Sequence, residues 1–305
     1  MFAQKENMTK NKLYKNPIIP NNEENNTADP YVIRHGDNYY HCFANDEGVF
    51  IAKSEKLWNI ANGETIKVYD SQAENALKSW FAPELHQIDN KWYIYAAPDY
   101  GSGLHIMTVL VCDSESPMGE YKLLGVVKGL EGKWTIDGTI LYYSNELYFV
   151  WTSCTELYIA KMSNPCSITG KITVISRPEY DFETREGLIN EGPAVLYRNN
   201  KIYIVYSAND SRCDDYCLGL LTFEGGDILD AANWKKTPDA IFQKTDSIFG
   251  PGHCSFTTVT ENGAEVDYIV YHANLVSGSG WYGRNVFIKP FDWKDDKPNL
   301  GKPYF

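Results

Sequence analysis

An all-β chain wound into a five-bladed β-propeller is what this sequence predicts, and three observations predict it. Five segments share one pattern, a polar turn running into an aromatic-rich strand: Asn38-Tyr39-Tyr40-His41-Cys42-Phe43-Ala44, Lys91-Trp92-Tyr93-Ile94-Tyr95-Ala96-Ala97, Glu146-Leu147-Tyr148-Phe149-Val150-Trp151-Thr152, Lys201-Ile202-Tyr203-Ile204-Val205-Tyr206-Ser207 and Val266-Asp267-Tyr268-Ile269-Val270-Tyr271-His272. Aligned on Tyr40, Tyr93, Tyr148, Tyr203 and Tyr268, they recur at spacings of 53, 55, 55 and 65 residues. A strand-built unit of that length cannot bury both its faces alone and stacks radially as a blade. The turns before the copies, such as Asp89-Asn90, Ser144-Asn145 and Asn199-Asn200, use residues that tolerate the positive φ of tight hairpins. No stretch sustains the 3.6-residue apolar period of a helix.

In chain order, residues 1–16 read as a flexible leader and 17–305 as a single propeller domain. Residues up to Asn26 are rich in Asn, Glu and Lys and lack periodicity. Pro17-Ile18-Ile19 offers itself as a strand added to the last blade. From Thr27 each repeat has room for four short strands and their turns. Ser71 to Lys78 suits one helical turn, and the longer last spacing is assigned to a loop around Val276-Ser277-Gly278-Ser279-Gly280.

Composition narrows the function. A net charge of −12 argues against nucleic acid and against anionic membrane surfaces, both of which want basic patches. No apolar run approaches the ~18 residues of a membrane span. The 22 Tyr and 8 Trp exceed what a core alone needs and suit sugar faces. Seven cysteines, an odd number without a CxxC pair, read as reduced thiols, with a Cys213–Cys217 bridge the minor alternative. Met1 to Asn16 lacks an apolar signal core, so the expected compartment is cytoplasmic as written, or periplasmic or secreted if a signal ending near Ala3 has been removed.

Roughly a dozen residues before each repeat anchor stand Asp29-Pro30, Pro83-Glu84, Asp137-Gly138, Glu191-Gly192 and His253-Cys254. In a radial fold the innermost strands begin around one axis, so these heads converge. Carboxylates are costly to bury unless paired or functional. Asp29, Asp137 and Glu191 brought together would push one another's pKa values apart, as acid–base work requires. Two carboxyl groups across a scissile bond are the apparatus of glycoside hydrolysis. Trp80 and Phe81 offer an apolar wall for a sugar, with core packing the competing account.

Ala28-Asp29-Pro30, Trp80-Phe81-Ala82-Pro83-Glu84-Leu85-His86, Ile136-Asp137-Gly138-Thr139 and Asn190-Glu191-Gly192-Pro193 stand in an order that resembles glycoside hydrolase family 43, from about residue 16 to Trp293. The resemblance implies a five-bladed propeller and an inverting mechanism, with Asp29 as general base, Glu191 as general acid and Asp137 tuning and orienting the acid. It implies further that Glu84 is a carboxylate behind the site paired with Arg284, and that Arg284 closes the site from the last blade. By the same resemblance His253 lies in the central channel, where a calcium or sodium ion would be held through water; no cofactor is required for the chemistry.

Arg177-Pro178-Glu179-Tyr180-Asp181-Phe182-Glu183, Gly250-Pro251-Gly252-His253 and Tyr271-His272-Ala273 resemble the family's arabinofuranosidases, which act on plant-type oligosaccharides and polysaccharides. The expectation is therefore an exo-α-L-arabinofuranosidase. A β-xylosidase of the same family is the alternative, and a catalytically silent glycan-binding propeller is the alternative from another class.

Overall fold

The computed structural model describes residues 14–22, 27–72 and 77–304. Its strands form five four-stranded antiparallel meanders in strict chain order. Blade 1 comprises β1 (Tyr31–His35), β2 (Asn38–Asn45), β3 (Gly48–Ser54) and β4 (Glu64–Asp70), and blade 2 comprises β5 (Lys78–Ile88), β6 (Lys91–Asp99), β7 (Thr108–Cys112) and β8 (Lys122–Val126). Blade 3 is β9 (Ile136–Tyr143), β10 (Glu146–Ser153), β11 (Glu156–Asn164) and β12 (Ser167–Ser176). Blade 4 is β13 (Asn190–Arg198), β14 (Lys201–Ala208), β15 (Cys217–Phe223) and β16 (Trp234–Lys236), and blade 5 is β17 (Phe249–Glu261), β18 (Ala264–Asn274), β19 (Arg284–Lys294) and β20 (Lys297–Asn299). The first strands pack around the axis, β1 on β5, β5 on β9, β9 on β13, β13 on β17 and β17 back on β1. The expected propeller is the fold observed.

The hairpins joining first and second strands follow from their residues. Asp89-Asn90, Ser144-Asn145, Asn199-Asn200 and Asn262-Gly263 all have positive φ at both positions, the two-residue turn that matches strand twist. The core is divided among the five junctions. One cluster joins Ile51 of blade 1 to Trp92 and Ile94 of blade 2, a second joins Tyr95 to Phe149 and Trp151, and a third joins Val150 and Ile159 to Ile204 and Tyr206. The fourth joins Val205 and Leu218 to Ile269 and Phe287, and the last packs Ile18 and Ile19 with Val32 and Val270 between blades 5 and 1. Apolar faces on both sides of every blade explain the aromatic repeat: each blade is buried only by its neighbours.

Ring closure uses the N-terminal segment, as Pro17-Ile18-Ile19 suggested. Ile19 pairs antiparallel with Val286 of β19, and Asn16 is buried with its side chain bonded to both the N–H and the C=O of Ile288. The expected leader of residues 1–16 falls largely outside the described residues, but its end is corrected: Tyr14 already stacks on Trp58 and Asn16 is part of the closure. An Asn that satisfies buried β19 backbone cannot belong to a loose tail. The helical turn expected at Ser71 to Lys78 falls partly on residues outside the described ones; of its described ends, Lys78 already belongs to β5. A second correction concerns the long last spacing. The loop around Val276–Gly280 exists between β18 and β19, but it follows Tyr268; the extra length between Tyr203 and Tyr268 lies partly between β14 and β17, a stretch that carries η3 (Ala231–Asn233), and partly in the longer β17–β18 hairpin, where His253 stands 15 residues before its anchor and its counterparts stand 11 before theirs. All seven cysteines are free thiols.

Candidate active site

The strand registers define a ring of equivalent positions at the axis. Tyr31 faces Cys42, Glu84 faces Tyr95, Thr139 faces Val150, Ala194 faces Val205 and Ser255 faces Val270, in each case two residues past the anchor Tyr. Two residues earlier in each blade stand Asp29, Ala82, Asp137, Gly192 and His253, and all five have left-handed φ, between +40° and +57°. For the four that are not glycine this backbone costs on the order of 1 kcal/mol or more each. The strain recurs in every blade because it turns the strand head so that the side chain meets the axis. Gly192 needs glycine twice over: its φ is +57°, and a Cβ there would stand 3.1 Å from the His253 ring.

Three of the ring's backbone N–H groups are held by the preceding blade. Gly192 N–H donates to Asp137 Oδ2 at 3.0 Å, His253 N–H to Ser207 Oγ at 2.8 Å, and Asp29 N–H to His272 Nδ1 at 3.1 Å. Ser207 and His272 end their copies of the repeat, where blades 1 and 2 have Ala44 and Ala97. A His at a position that elsewhere holds a small residue is the signal in the sequence for this role of His272. Its Nδ1 accepts, so it cannot also donate to the Asp29 carboxylate 3.5 Å away. Burial first, then the charges of Arg284 and His253, press its pKa well below the usual value, and the ring is neutral.

One cleft of about 620 Å³ gathers Asp29, Asp137, Glu191, Trp80, Phe81, His253 and Arg284. Asp29 is half-buried, with a side chain 21% exposed, its Oδ1 3.2 Å from His253 Nδ1 and 3.5 Å from an Arg284 guanidinium nitrogen. Asp137 is buried, and that burial raises its pKa to about 6 against the pull of His253 and the Gly192 N–H. Burial, followed by the charge of Asp137, lifts Glu191 to about 7, while a 2.7 Å hydrogen bond donated by Tyr216 O–H opposes the rise. Desolvation pulls His253 down, but the surrounding carboxylates, Asp29 foremost, outweigh it and raise the ring.

Tyr216 escaped the sequence reading because nothing local marks it. It reaches Glu191 from the head of β15, its ring stacked on His272, and Gly252 is glycine because a Cβ would stand 2.1 Å from that ring. Glu191 is steadied from its other neighbour too. The Arg177–Glu183 stretch folds so that fully buried Glu183 accepts from the Tyr180 N–H, Asn190 Nδ2 and Tyr206 O–H, all at 2.9 Å, and from Lys236 Nζ at 3.0 Å. Asn190 immediately precedes Glu191, so this network sets where β13 begins.

Glu84 departs from expectation. Its register lies two residues past the ring, one layer deeper in the channel, and it does not line the cleft. Its partner is His86, with Nε2 2.8 Å from the carboxylate, and not Arg284, which instead faces Asp29 and donates to the Ser211 carbonyl at 3.2 Å. The shift follows from geometry, since Arg284 stands beside the ring and Glu84 below it. Trp80 combines both accounts weighed for it: it borders the cleft but is packed in the blade 1–2 core, its indole N–H bonded to Ser71 Oγ. Phe81 is 41% exposed, lines the cleft and stacks on His105. For a channel cation the described residues offer His253 but no convergence of three His, Cys, Asp or Glu side chains, whereas calcium takes about six to eight oxygens.

Comparison with known proteins agrees with this architecture. The sequence model for Glycosyl hydrolases family 43 matches residues 14–298. The chain is 31% identical over 299 residues to an extracellular exo-alpha-(1->5)-L-arabinofuranosidase of Streptomyces avermitilis, covering 90% of this chain and 62% of that one. It is also 31% identical over 278 residues to the protein of the same name from Streptomyces chartreusis, covering 85% of this chain and 82% of the relative. The chain thus spans less than two thirds of the first relative and most of the second. Among solved structures, an alpha-L-arabinofuranosidase from Lactobacillus brevis superposes with a TM-score of 0.84 at 32% identity, covering 95% of this chain and 97% of that one.

Proposed function

Because this chain belongs to glycosyl hydrolase family 43, we propose that it is an inverting exo-α-L-arabinofuranosidase that releases terminal arabinofuranose from arabinan-type oligosaccharides. The observation that carries the proposal is the gathering of Asp29, Asp137 and Glu191 from blades 1, 3 and 4 in one cleft, with unequal environments. Glu191, raised to about 7, holds its proton near neutrality and serves as the acid. Asp29, the half-buried carboxylate beside His253 and Arg284, serves as the base. Water loses a proton to Asp29 as its oxygen attacks the anomeric carbon; the glycosidic C–O bond breaks, and the Glu191 proton passes to the leaving oxygen. Asp29 ends protonated and Glu191 ionised, and exchange with solvent restores both. Asp137 keeps the acid's pKa high by its charge and holds it in place through the Gly192 N–H. Arg284 and the Phe81 face position the sugar.

The test pairs an aryl α-L-arabinofuranoside with an aryl β-xyloside and follows the first-formed anomer by proton NMR. Release from the arabinofuranoside with inversion is the expected result. Preference for the xyloside moves the assignment to the xylosidase alternative, and turnover of neither leaves a glycan-binding propeller.

A further inference from the structure

Trp281 has no role in the site as described so far, yet it lines the cleft while remaining 53% exposed. An indole left half in water is not there for the core. Nor is it free to move. Its Nε1–H donates to Ser211 Oγ at 2.9 Å, and the Arg212 guanidinium lies 5.5 Å from its ring, itself held by Asp210 through Nε at 2.9 Å. The loops that carry these residues, between β14 and β15 and between β18 and β19, are locked together, since Asp214 accepts from the Ser277 hydroxyl at 2.5 Å and from the Gly278 N–H at 2.9 Å. The assembly is tied to the chemistry as well, because the Ser211 carbonyl accepts from Arg284, which faces Asp29.

Resting on the reading of Glu191 as acid, we propose that Trp281, backed by Arg212, is the stacking platform for the sugar on the leaving-group side, so that the protein reads two residues of an oligosaccharide and not the terminal one alone. The acid must face the leaving oxygen, so the leaving sugar lies toward blade 4. Arg212 and Trp281 form the aromatic and cationic rim at the junction of blades 4 and 5, whereas Phe81 and Trp134 stand on the side of blades 2 and 3. A fixed indole presents an apolar face to sugar C–H groups with little ordering cost, and Asp210 and Arg212 stand ready for its hydroxyls. A cleft of about 620 Å³ exceeds what one pentose fills.

The experiment compares kcat/KM for α-1,5-linked arabinotriose with that for methyl α-L-arabinofuranoside, whose leaving group is chemically similar but too small to stack. In Trp281→Ala the triose-to-methyl ratio falls about tenfold, the equivalent of about 1.4 kcal/mol, mostly through KM, and Trp281→Phe restores most of it. Trp281→Leu, which keeps apolar volume without an aromatic face, gives the same loss and stands in if the alanine variant does not fold. An unchanged ratio, or equal losses on both substrates, overturns the proposal. Calorimetric binding of arabinotriose and of arabinose to Glu191→Gln, with and without Trp281→Ala, separates this from the catalytic reading: weakened binding of the triose alone supports the platform even if the wild-type chain cleaves neither substrate, and equal triose affinity with and without Trp281 refutes it.

Discussion

Replacing Asp137 by Asn removes a negative charge from beside Glu191 while nearly keeping its shape. Asp137 Oδ2 accepts the N–H of Gly192, the residue bonded to Glu191, at 3.0 Å, and an Asn oxygen can take the same bond. Glu191 is lifted from an ordinary 4.5 to about 7, by burial first and by the Asp137 charge second. Two unit charges several ångströms apart interact by on the order of 1–3 kcal/mol at an effective dielectric near ~20, so removing that charge is worth about one pH unit or more. The acid works only while protonated, so activity falls as pH rises through its pKa. Removing the neighbouring charge lowers that pKa, and the basic limb of the kcat/KM profile moves down by about one pH unit. The effect belongs to pH above about 6, where Asp137 carries its charge. Tyr216→Phe is the opposing perturbation: it deletes a hydrogen bond that favours ionised Glu191, so the basic limb moves up. The assay uses an oligosaccharide, whose leaving group needs the proton. A limb that stays still or rises in Asp137→Asn, or that moves the same way in both variants, refutes the assignment of Glu191 as acid and Asp137 as its tuner.

The division of labour between Glu191 and Asp29 is checked with leaving groups: Glu191→Gln retains far more activity on an aryl glycoside with an acidic phenol than on arabinotriose, by about a hundredfold or more, whereas Asp29→Asn loses both alike. Lys236→Met strands the buried Glu183 carboxylate and lowers stability by about 3 kcal/mol or more, read as a drop in the thermal midpoint. Adding Glu183→Gln recovers part of that loss, because no charge is then left unpaired; failure to recover would show that packing, and not the ion pair, carries the cost.

The period of the repeat, the Asn and Asp hairpin residues and the carboxylates at the strand heads were legible because each is a local consequence of chain geometry. A blade must bury two faces, a two-residue hairpin must tolerate positive φ, and a first strand must start at the axis. So the five blades, and the trio Asp29, Asp137 and Glu191, could be read from residues alone. Layer within the channel could not. Pro83-Glu84 looks like Asp29-Pro30 in sequence, yet the pairing register makes Ala82 the equivalent of Asp29 and puts Glu84 one layer below, beside His86. Register is decided by which residues face across a strand pair, and two residues of slip exchange one layer for the next.

What the sequence determined by itself was therefore the repeating unit, its number and the chemistry carried at each strand head. Only the tertiary structure decided who touches whom across blade junctions. It set Tyr216 on Glu191, His272 beneath Asp29, Arg284 against Asp29 and Trp281 at the rim, contacts that span 25 to 255 residues of chain. Closing the ring brings blade 5 against blade 1, and no local pattern along the chain records which side chains meet when it does.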